Sequence, residues 1–338
     1  MVELTLQGSA YDRGREHGQR LASETQACLS HFKHELRRSD IKFAIERTIE
    51  FLDGLFPEIT QEIRGIADGA EAPFADVFLF NNRAIASLVD QETCSDIAVA
   101  QDGQVLVGMN KDRPMPIAPY DQYLLRKVYP EDGYAFIGYG HVGRIWGHGM
   151  NDQGLCTAGT AAYPLRNEAA IPAFGSYLLP PLLLSKCRNV VEALELIERI
   201  RPVCDAGNFM LCDASGEMVV MEMTSDRRVL RPAENGHLIA TTYFSSGQIE
   251  HKKDPTHLYE SQRRYQVIEN GCHDCQSISL DAMKTLLRKH DDEGPVCRHC
   301  DSGVATVFSW IASPAMREFY FCPSAPCEGK YQRHTLVQ

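Results

Sequence analysis

Apolar and polar positions repeat along the chain with two different periods, and the period changes near residue 93. Between Tyr11 and about Leu88, apolar residues recur every three to four positions, as in GREHGQRLASETQACLSHFKHELRR and FAIERTIEFLDGLF. This spacing predicts a block of helices. From Cys94 the period falls to two, and CSDIAVA and VLVGMN flank the turn residues Gln101-Asp102-Gly103. That pattern predicts a β-hairpin directly after the helical block.

The remaining pattern alternates between the two periods in the same way. YAFIGYG, RIWGHGMN and GLCTAGTA predict strands, and helical spacing resumes near Ser185 in NVVEALELIERIRP. NFMLCDASGEMVVMEMT predicts a second hairpin and HLIATTYF a further strand. Two helices follow, HLYESQRRYQVIEN and SLDAMKTLLRKH, the second with Ser279 as its cap, and ATVFSWIASP and REFYFCPSAP predict closing strands. Blocks of helix and sheet without a linker or repeat predict one layered α+β domain over 1–338.

Composition and charge restrict the class of partner. Among 338 residues, 45 are acidic and 34 basic, for a net charge of −11, and this balance disfavours a nucleic-acid partner, whose phosphates are bound by Lys and Arg. The longest apolar stretch, Tyr177 to Leu184, is too short to span a bilayer, and the N-terminus has no apolar signal core. We therefore expect a cytoplasmic protein without a membrane partner. A homo-oligomer is compatible with the sequence.

One thiol stands at the head of a predicted strand, and the hairpin returns an aspartate towards it. Cys94 begins the strand and Asp112 ends its partner. A thiol becomes a strong nucleophile when a base takes its proton, and the α-amino group of an N-terminal cysteine, with a pKa near 8, is such a base. Cleavage before Cys94 would free this amine, and Asp112 alongside would orient it. Alternatively, Cys94 is a small buried strand residue, the commoner role of a free cysteine.

Six segments in order carry a resemblance to a known family. GSAYDRGREHG is similar to an opening G-x-x-Y-x-x-G-x-x-H-G signature, and TCSDIAVAQDGQVLVGMNKD to a nucleophile strand followed by an N-x-D turn. GHGMNDQGL, LCDASGEMVVMEMT, VCRHC and APCEGKYQRHTL match four later segments. The chain thereby resembles the isopenicillin N acyltransferase-like family, the acyl-CoA:6-aminopenicillanic acid acyltransferases of the N-terminal-nucleophile hydrolase superfamily.

The resemblance implies a fold and an activity. The implied fold is a four-layer αββα sandwich, with two antiparallel sheets between helical layers. The implied activity is that of a cysteine amidohydrolase or acyltransferase, which cleaves or transfers an acyl group at a non-peptide C–N amide bond through an acyl-cysteine. Its expected partner is a small-molecule amide or thioester, and no cofactor is required for catalysis.

The resemblance also implies roles for three residues. Cys94 would be the nucleophile and the mature N-terminus, after autocatalytic cleavage of the Thr93–Cys94 bond into a helical segment 1–93 and a segment 94–338. Asp112 would hold the new α-amine. Arg298, the arginine of VCRHC, would face the nucleophile and either bind substrate or tune the charge of the site.

Several positions depart from the family's pattern where an oxyanion hole is expected. Thr242 in ATTYF and Ala161 in GTAAY replace asparagines, and Lys111 replaces an aromatic residue. The oxyanion and substrate-binding candidates are therefore Thr242, Ala161, Asn208 and Asn110. Because one oxyanion donor is worth about 3–4 kcal/mol of barrier, these departures predict either a rebuilt hole or a slow or inactive relative that binds a small molecule without turning it over.

Four of the twelve cysteines form a second group of candidate site residues. Cys272 and Cys275, and then Cys297 and Cys300, form two C-x2-C pairs that resemble a four-thiolate zinc knuckle. Unpaired thiols and disulfides are the alternatives. Bound zinc would clamp the segment that carries Arg298.

Overall fold

The computed structural model describes residues 1–32, 41–82, 93–115, 122–165, 172, 174–200, 206–251, 255–274, 279–290, 294–299 and 303–336. Within these residues the chain forms two β-sheets that lie face to face, with helices on both outer surfaces.

The larger sheet has eight described strands, paired in the order β1-β4-β5-β6-β7-β8-β9-β10. Their bounds are β1 Val2–Gly8, β4 Tyr123–Pro130, β5 Phe136–His141, β6 Gly149–Asn151, β7 Cys156–Ala161, β8 Gly207–Cys212, β9 Met218–Met223 and β10 Arg228–Pro232. Neighbouring strands are antiparallel except for β1 and β4, which run parallel.

The smaller sheet has six described strands in the order β11-β2-β3-β12-β13-β14. Their bounds are β2 Thr93–Gln101, β3 Gln104–Pro114, β11 His237–Ala240, β12 Val304–Ser313, β13 Glu318–Cys322 and β14 Gln332–His334. The predicted hairpin between β2 and β3 is confirmed. Asp102 and Gly103 both have positive φ (50° and 77°), as a tight two-residue hairpin turn requires.

Helices cover the outer face of each sheet, and an apolar layer separates each pair of neighbouring layers. The larger sheet is covered by α1 Ala10–Arg20, α2 Ala22–Phe32, α3 Ile41–Leu55, α4 Pro57–Gly69, α5 Phe74–Asn81, α6 Leu179–Lys186 and α7 Val190–Glu198. The smaller sheet is covered by α8 Pro255–Asp274 and α9 Leu280–Leu287. A third apolar cluster fills the space between the sheets. The four-layer αββα arrangement is thus confirmed.

The opening segment of the sequence packs helix against helix. In α1, Gly14 and Gly18 lie against the backbone of α4, and Gly65 and Gly69 of α4 lie against the backbone of α1. A Cβ atom at any of the four would overlap a partner backbone oxygen, so glycine lets the two helices approach closely. The signature near the N-terminus is therefore a packing element.

Some elements were not predicted from the sequence. Strands β1 and β4 form a pair between residues more than a hundred positions apart. The long first helix is divided at Leu21 into α1 and α2. The Ser279 cap of α9 is confirmed, because its hydroxyl accepts a hydrogen bond from Ala282 N at 3.1 Å. Among the described helices, none combines the length and hydropathy needed to cross a bilayer.

Candidate active site

The thiol of Cys94 lies between the two sheets. Cys94 is the second residue of β2 and is fully buried within the inter-sheet apolar cluster. Its backbone N–H donates a hydrogen bond to Thr242 Oγ1 at 3.3 Å. Lys111 lies directly opposite on β3 and is also fully buried, with its ammonium 5.0 Å from the centroid of the Trp146 ring. The nucleophile candidate therefore has a buried cation as its cross-strand neighbour.

The carboxylate of Asp112 lies on the opposite face of the same sheet. Asp112 pairs with Thr93 and not with Cys94, and successive strand residues point to opposite faces. Its Oδ2 lies 3.5 Å from Thr93 Oγ1, and its Oδ1 accepts a hydrogen bond from Thr306 Oγ1 at 2.7 Å. The expectation that the Asp112 side chain lies alongside that of Cys94 is corrected: the carboxylate contacts the residue on the other side of the predicted cleavage point.

Arg298 approaches Thr93 from the segment before β12. Its Nη1 lies 3.5 Å from Thr93 Oγ1 and its Nη2 lies 3.3 Å from Glu260 Oε2. The backbone of Arg298 is fixed by Thr306, whose hydroxyl accepts from Arg298 N at 2.8 Å and whose N–H donates to Arg298 O at 3.0 Å. Asp112 and Arg298 therefore meet at the Thr93 side chain.

Arg264 completes this polar cluster and was missed in the sequence. It lies on α8, is 2% exposed, and its Nη1 is 3.1 Å from Asp112 Oδ2. Burial raises the pKa of the Asp112 carboxyl, with Arg264 and Arg298 opposing that shift, and burial lowers the pKa of Arg264, with Asp112 opposing. The signal was the helical spacing of Ser261, Arg264 and Ile268, which places an arginine on the buried face of α8.

The face that carries the thiol contains further buried ionisable groups. Asp96, two residues after Cys94, is fully buried, and burial raises its pKa well above the ordinary value, with Lys111 opposing. This environment favours the neutral carboxylic acid. His148 has its pKa lowered to about 3 by burial, with Lys111 and His141 acting in the same direction.

The oxyanion candidates occupy different positions. Thr242 contacts the nitrogen of Cys94. Asn208 is buried, and its amide nitrogen lies 2.8 Å from Thr241 O and 3.0 Å from Tyr243 O. It therefore holds the residues on both sides of Thr242. Ala161 is half-buried at the end of β7.

Asn110 lies on the helix-facing side of β3, away from the thiol. Its Nδ2 donates to Leu287 O and to Val296 O, both at 2.8 Å. These bonds tie β3 to α9 and to the segment that carries Arg298. The contacts thus give Asn110 a structural position, in contrast to its selection as an oxyanion candidate.

The structure describes two of the four cysteines of the predicted zinc knuckle, Cys272 and Cys297. Cys275 and Cys300 lie outside the described residues. Cys272 is half-buried on α8. The thiol of Cys297 lies 3.5 Å from that of Cys327, a cysteine outside the predicted knuckle.

Comparison with known proteins gives one family assignment. Residues 99–327 match the sequence model of the family described as "Acyl-coenzyme A:6-aminopenicillanic acid acyl-transferase". The match begins five positions after Cys94 and includes Asp112, Thr242 and Arg298. No curated protein matches the chain.

Two solved structures match this chain at low sequence identity. A mutant of conjugated bile acid hydrolase from Clostridium perfringens is 13% identical, with 72% of this chain and 96% of that chain covered and a TM-score of 0.46. Penicillin V acylase from Agrobacterium tumefaciens is 12% identical, with 68% and 82% covered and a TM-score of 0.41. The family assignment rests on the matched sequence model.

Proposed function

Because this chain belongs to the acyl-coenzyme A:6-aminopenicillanic acid acyl-transferase family, whose members act on C–N bonds, we propose that it is a cysteine amidohydrolase or acyltransferase for a small-molecule amide. Cys94 is its nucleophile. One observation carries this proposal: polar groups contact both residues of the Thr93–Cys94 peptide. Asp112 and Arg298 contact the Thr93 side chain, and Thr242 contacts the Cys94 nitrogen.

Maturation is the first reaction in this proposal. The Cys94 sulfur adds to the Thr93 carbonyl carbon, the C–N bond breaks, and the thiol proton passes to the departing nitrogen, which becomes the α-amine. Water then hydrolyses the thioester, leaving a carboxylate at Thr93 and a free thiol at Cys94. The products are segments 1–93 and 94–338.

Turnover repeats the same chemistry on an external amide. The α-amine of Cys94 takes the thiol proton, the sulfur attacks the substrate carbonyl, and the leaving amine receives the proton. Water resolves the acyl-cysteine to an acid, or a second amine resolves it to a new amide. All proton transfers use the chain's own groups and water.

The contacts of Thr93 and Cys94 support distinct roles for their neighbours. The substrate's acyl group takes the place of Thr93 in the second reaction, because the same sulfur attacks both carbonyls. Asp112 and Arg298, which contact Thr93, therefore border the acyl position. Thr242 contacts the nitrogen that becomes the amine, and Lys111 is the cross-strand neighbour of Cys94, where a positive charge favours the thiolate.

Intact-mass measurement of the purified chain tests the proposal. We expect wild type to give two fragments in place of one chain of 37.9 kDa, and Cys94→Ala to remain whole. Cys212→Ala is the matched control, because Cys212 is an equally buried thiol in the same inter-sheet cluster, and it should still be cleaved.

A second measurement examines turnover. Matured wild type incubated with a panel of small acyl amides should carry an acyl adduct on the fragment that begins at Cys94. Cleavage of Cys94→Ala would show that the thiol does not cut the chain. An uncleaved wild type that forms no adduct would instead identify a binding relative without turnover.

A further inference from the structure

A cluster of two thiols and two imidazoles lies next to Arg298. Cys327 Sγ is 3.5 Å from Cys297 Sγ and 3.4 Å from His299 Nε2. The ring of His290 stacks on that of His299, with centroids 4.7 Å apart and an interplanar angle of 16°. Each of the four residues offers one ligand atom, and these atoms all lie within 4.8 Å of one another.

Two separations among these atoms are close to those of ligands around a single tetrahedral ion. Zinc binds thiolate sulfur at about 2.3 Å and imidazole nitrogen at about 2.0–2.1 Å. At tetrahedral angles, these bond lengths separate two sulfurs by about 3.8 Å, and a sulfur from a nitrogen by about 3.5 Å. The observed 3.5 Å and 3.4 Å separations are each within a few tenths of an ångström of those values.

A carboxylate lies behind one of the imidazoles. His299 presents Nε2 to Cys327, and its other nitrogen, Nδ1, lies 3.7 Å from Glu328 Oε1. Histidines that bind metals usually direct their second ring nitrogen to a carboxylate or a carbonyl, which fixes the tautomer and the ring orientation. Glu328 is therefore placed as an outer partner of the site.

The chain brings these residues together from three local structures. His290 follows α9. The N–H groups of Val296 and Cys297 both donate to Lys289 O at 3.1 Å, which folds the next segment back onto the end of that helix. Cys327 lies in a turn in which the N–H groups of Glu328 and Gly329 donate to Ala325 O. The cluster thus lies where three backbone turns meet.

We propose that His290, Cys297, His299 and Cys327 bind one Zn²⁺ ion in a tetrahedral structural site. Two thiolates and two imidazoles form a closed donor set that tetrahedral zinc accepts. Because all four ligands come from the protein, no position is left for substrate, and the ion is structural.

The site would fix the position of Arg298. Two of the ligands, Cys297 and His299, flank this residue in the sequence, so one ion fastens the backbone on both sides of it. Arg298 in turn reaches Thr93 Oγ1. The effect of zinc on catalysis rests on the proposed function, whereas zinc binding does not.

Metal analysis of the full chain tests the binding. Protein purified under reducing conditions should contain about one zinc per chain. Cys327→Ser and His290→Gln should lower zinc affinity by at least tenfold, and Glu328→Gln by about 10- to 100-fold. Cys272→Ser is the matched control, because Cys272 belongs to the four-cysteine knuckle but not to this cluster. It should retain the ion.

Two further measurements do not depend on the folding of a variant. Wild type loaded with Co²⁺ should show the visible absorption of a tetrahedral thiolate complex. Zinc should also protect Cys297 and Cys327, mapped by peptide mass, from alkylation, and a chelator should expose both.

Three outcomes would overturn the site. In the first, the reduced chain binds no added Zn²⁺. In the second, zinc is lost in Cys272→Ser but kept in Cys327→Ser, which would identify the four-cysteine knuckle. In the third, metal-free protein contains a Cys297–Cys327 disulfide as its main species and, after reduction, still binds no zinc.

The activity measurement is separate. If zinc holds Arg298, its removal should lower kcat/KM by about tenfold or more, because small displacements of positioning groups are costly. If zinc binds but its removal does not change turnover, the proposed metal site is retained and only its proposed effect on Arg298 is rejected. Failure of autocleavage with zinc present would count against the proposed function and not against the site.

Discussion

Strand alternation assigns different chemistry to the two residues of the candidate scissile bond. Thr93 points towards the face of the smaller sheet covered by α8 and α9, where it meets Asp112 and Arg298. Cys94 points between the sheets, where it is opposite Lys111. The two residues of the peptide thus point to opposite faces of the sheet, although charges act across it: Lys111 affects the pKa of Asp112, and Cys94 affects that of Arg264.

Replacing Lys111 with methionine tests the environment of the sulfur. Lys111→Met keeps an unbranched side chain, one heavy atom shorter, and removes the charge, so the thiolate of Cys94 loses its cross-strand cation. We expect autocleavage and kcat/KM to fall by roughly tenfold at neutral pH, and the acid limb of the pH–rate profile to move up by about one unit. Stopped assays of cleavage and of amide turnover across pH measure both effects.

The matched control is Lys127→Met, which removes a lysine of β4 whose ammonium lies 3.0 Å from Glu3 Oε1, far along the chain from the nucleophile. This variant should keep wild-type rates. A Lys111→Met profile that overlaps that of wild type at every pH would remove the lysine from the mechanism.

A helix or strand can be predicted from its own residues when only one of its faces is buried and when the element it pairs with is close in the sequence. The β2–β3 hairpin and the capped helix α9 meet these conditions, and the sequence predicted both. The β1–β4 pair does not, because a parallel pairing depends on a distant partner. Arg264 was missed because its partner Asp112 lies 152 positions away. A charged residue is also normally assigned to the solvent-facing side of a helix, even where the spacing places it on the buried side.

Replacing Arg264 should lower the free energy of unfolding, because the buried carboxylate of Asp112 would lose its ion-pair partner. Arg264→Met leaves Asp112 buried without its 3.1 Å partner, and breaking a buried ion pair from one side typically costs about 3–5 kcal/mol of unfolding free energy. Urea unfolding of wild type and variant measures this difference. Asp112→Asn in the Arg264→Met background should recover part of the loss, because the unpaired carboxylate is gone.

The neighbouring residue gives the control for α8. Arg263 is half-buried and its guanidinium lies over the ring of Tyr259, so Arg263→Met should change the unfolding free energy by about 1 kcal/mol or less. Equal effects of the two substitutions would mean that the Arg264–Asp112 contact contributes no specific stability.

At the scale of the whole molecule, the site depends on contacts that cross the sandwich. The family resemblance selected Cys94, Asp112 and Arg298 from the sequence, but it did not show that the last two meet at Thr93. It selected Asn208 and Asn110 by residue type, and the fold uses both amides to hold backbone carbonyls. Motif spacing divided the cysteines into C-x2-C pairs, whereas in the fold the thiol of Cys297 lies against that of Cys327. The type of a residue is read at its own position in the sequence, whereas its contacts depend on residues that are distant in the sequence.

The layers also bury histidines that stay neutral in the folded state down to about pH 3. Burial, with Arg126 acting in the same direction, lowers the pKa of His17 to about 3 from an ordinary value of 6.5. Its Nε2 accepts a hydrogen bond from Gly143 N at 3.1 Å, which joins α1 to the loop after β5. Protonation would abolish this acceptor, so His17 contributes to stability only while it is neutral.

The sign of the resulting pH dependence follows from proton uptake. Between pH 6.5 and about 3 the unfolded chain carries a proton on His17 and the folded chain does not, so the unfolding free energy falls by about 1.4 kcal/mol per pH unit as the pH is lowered. His17→Gln should be less stable than wild type at pH 7.5, and the difference should narrow as the pH falls towards 4. Urea unfolding at several pH values gives both curves. The control is Asn81→Ala, which removes a hydrogen bond to the carbonyl of the same Gly143 without removing a titratable group. Its curve should run parallel to that of wild type, and a His17→Gln curve that also runs parallel would show that His17 carries none of the acid sensitivity.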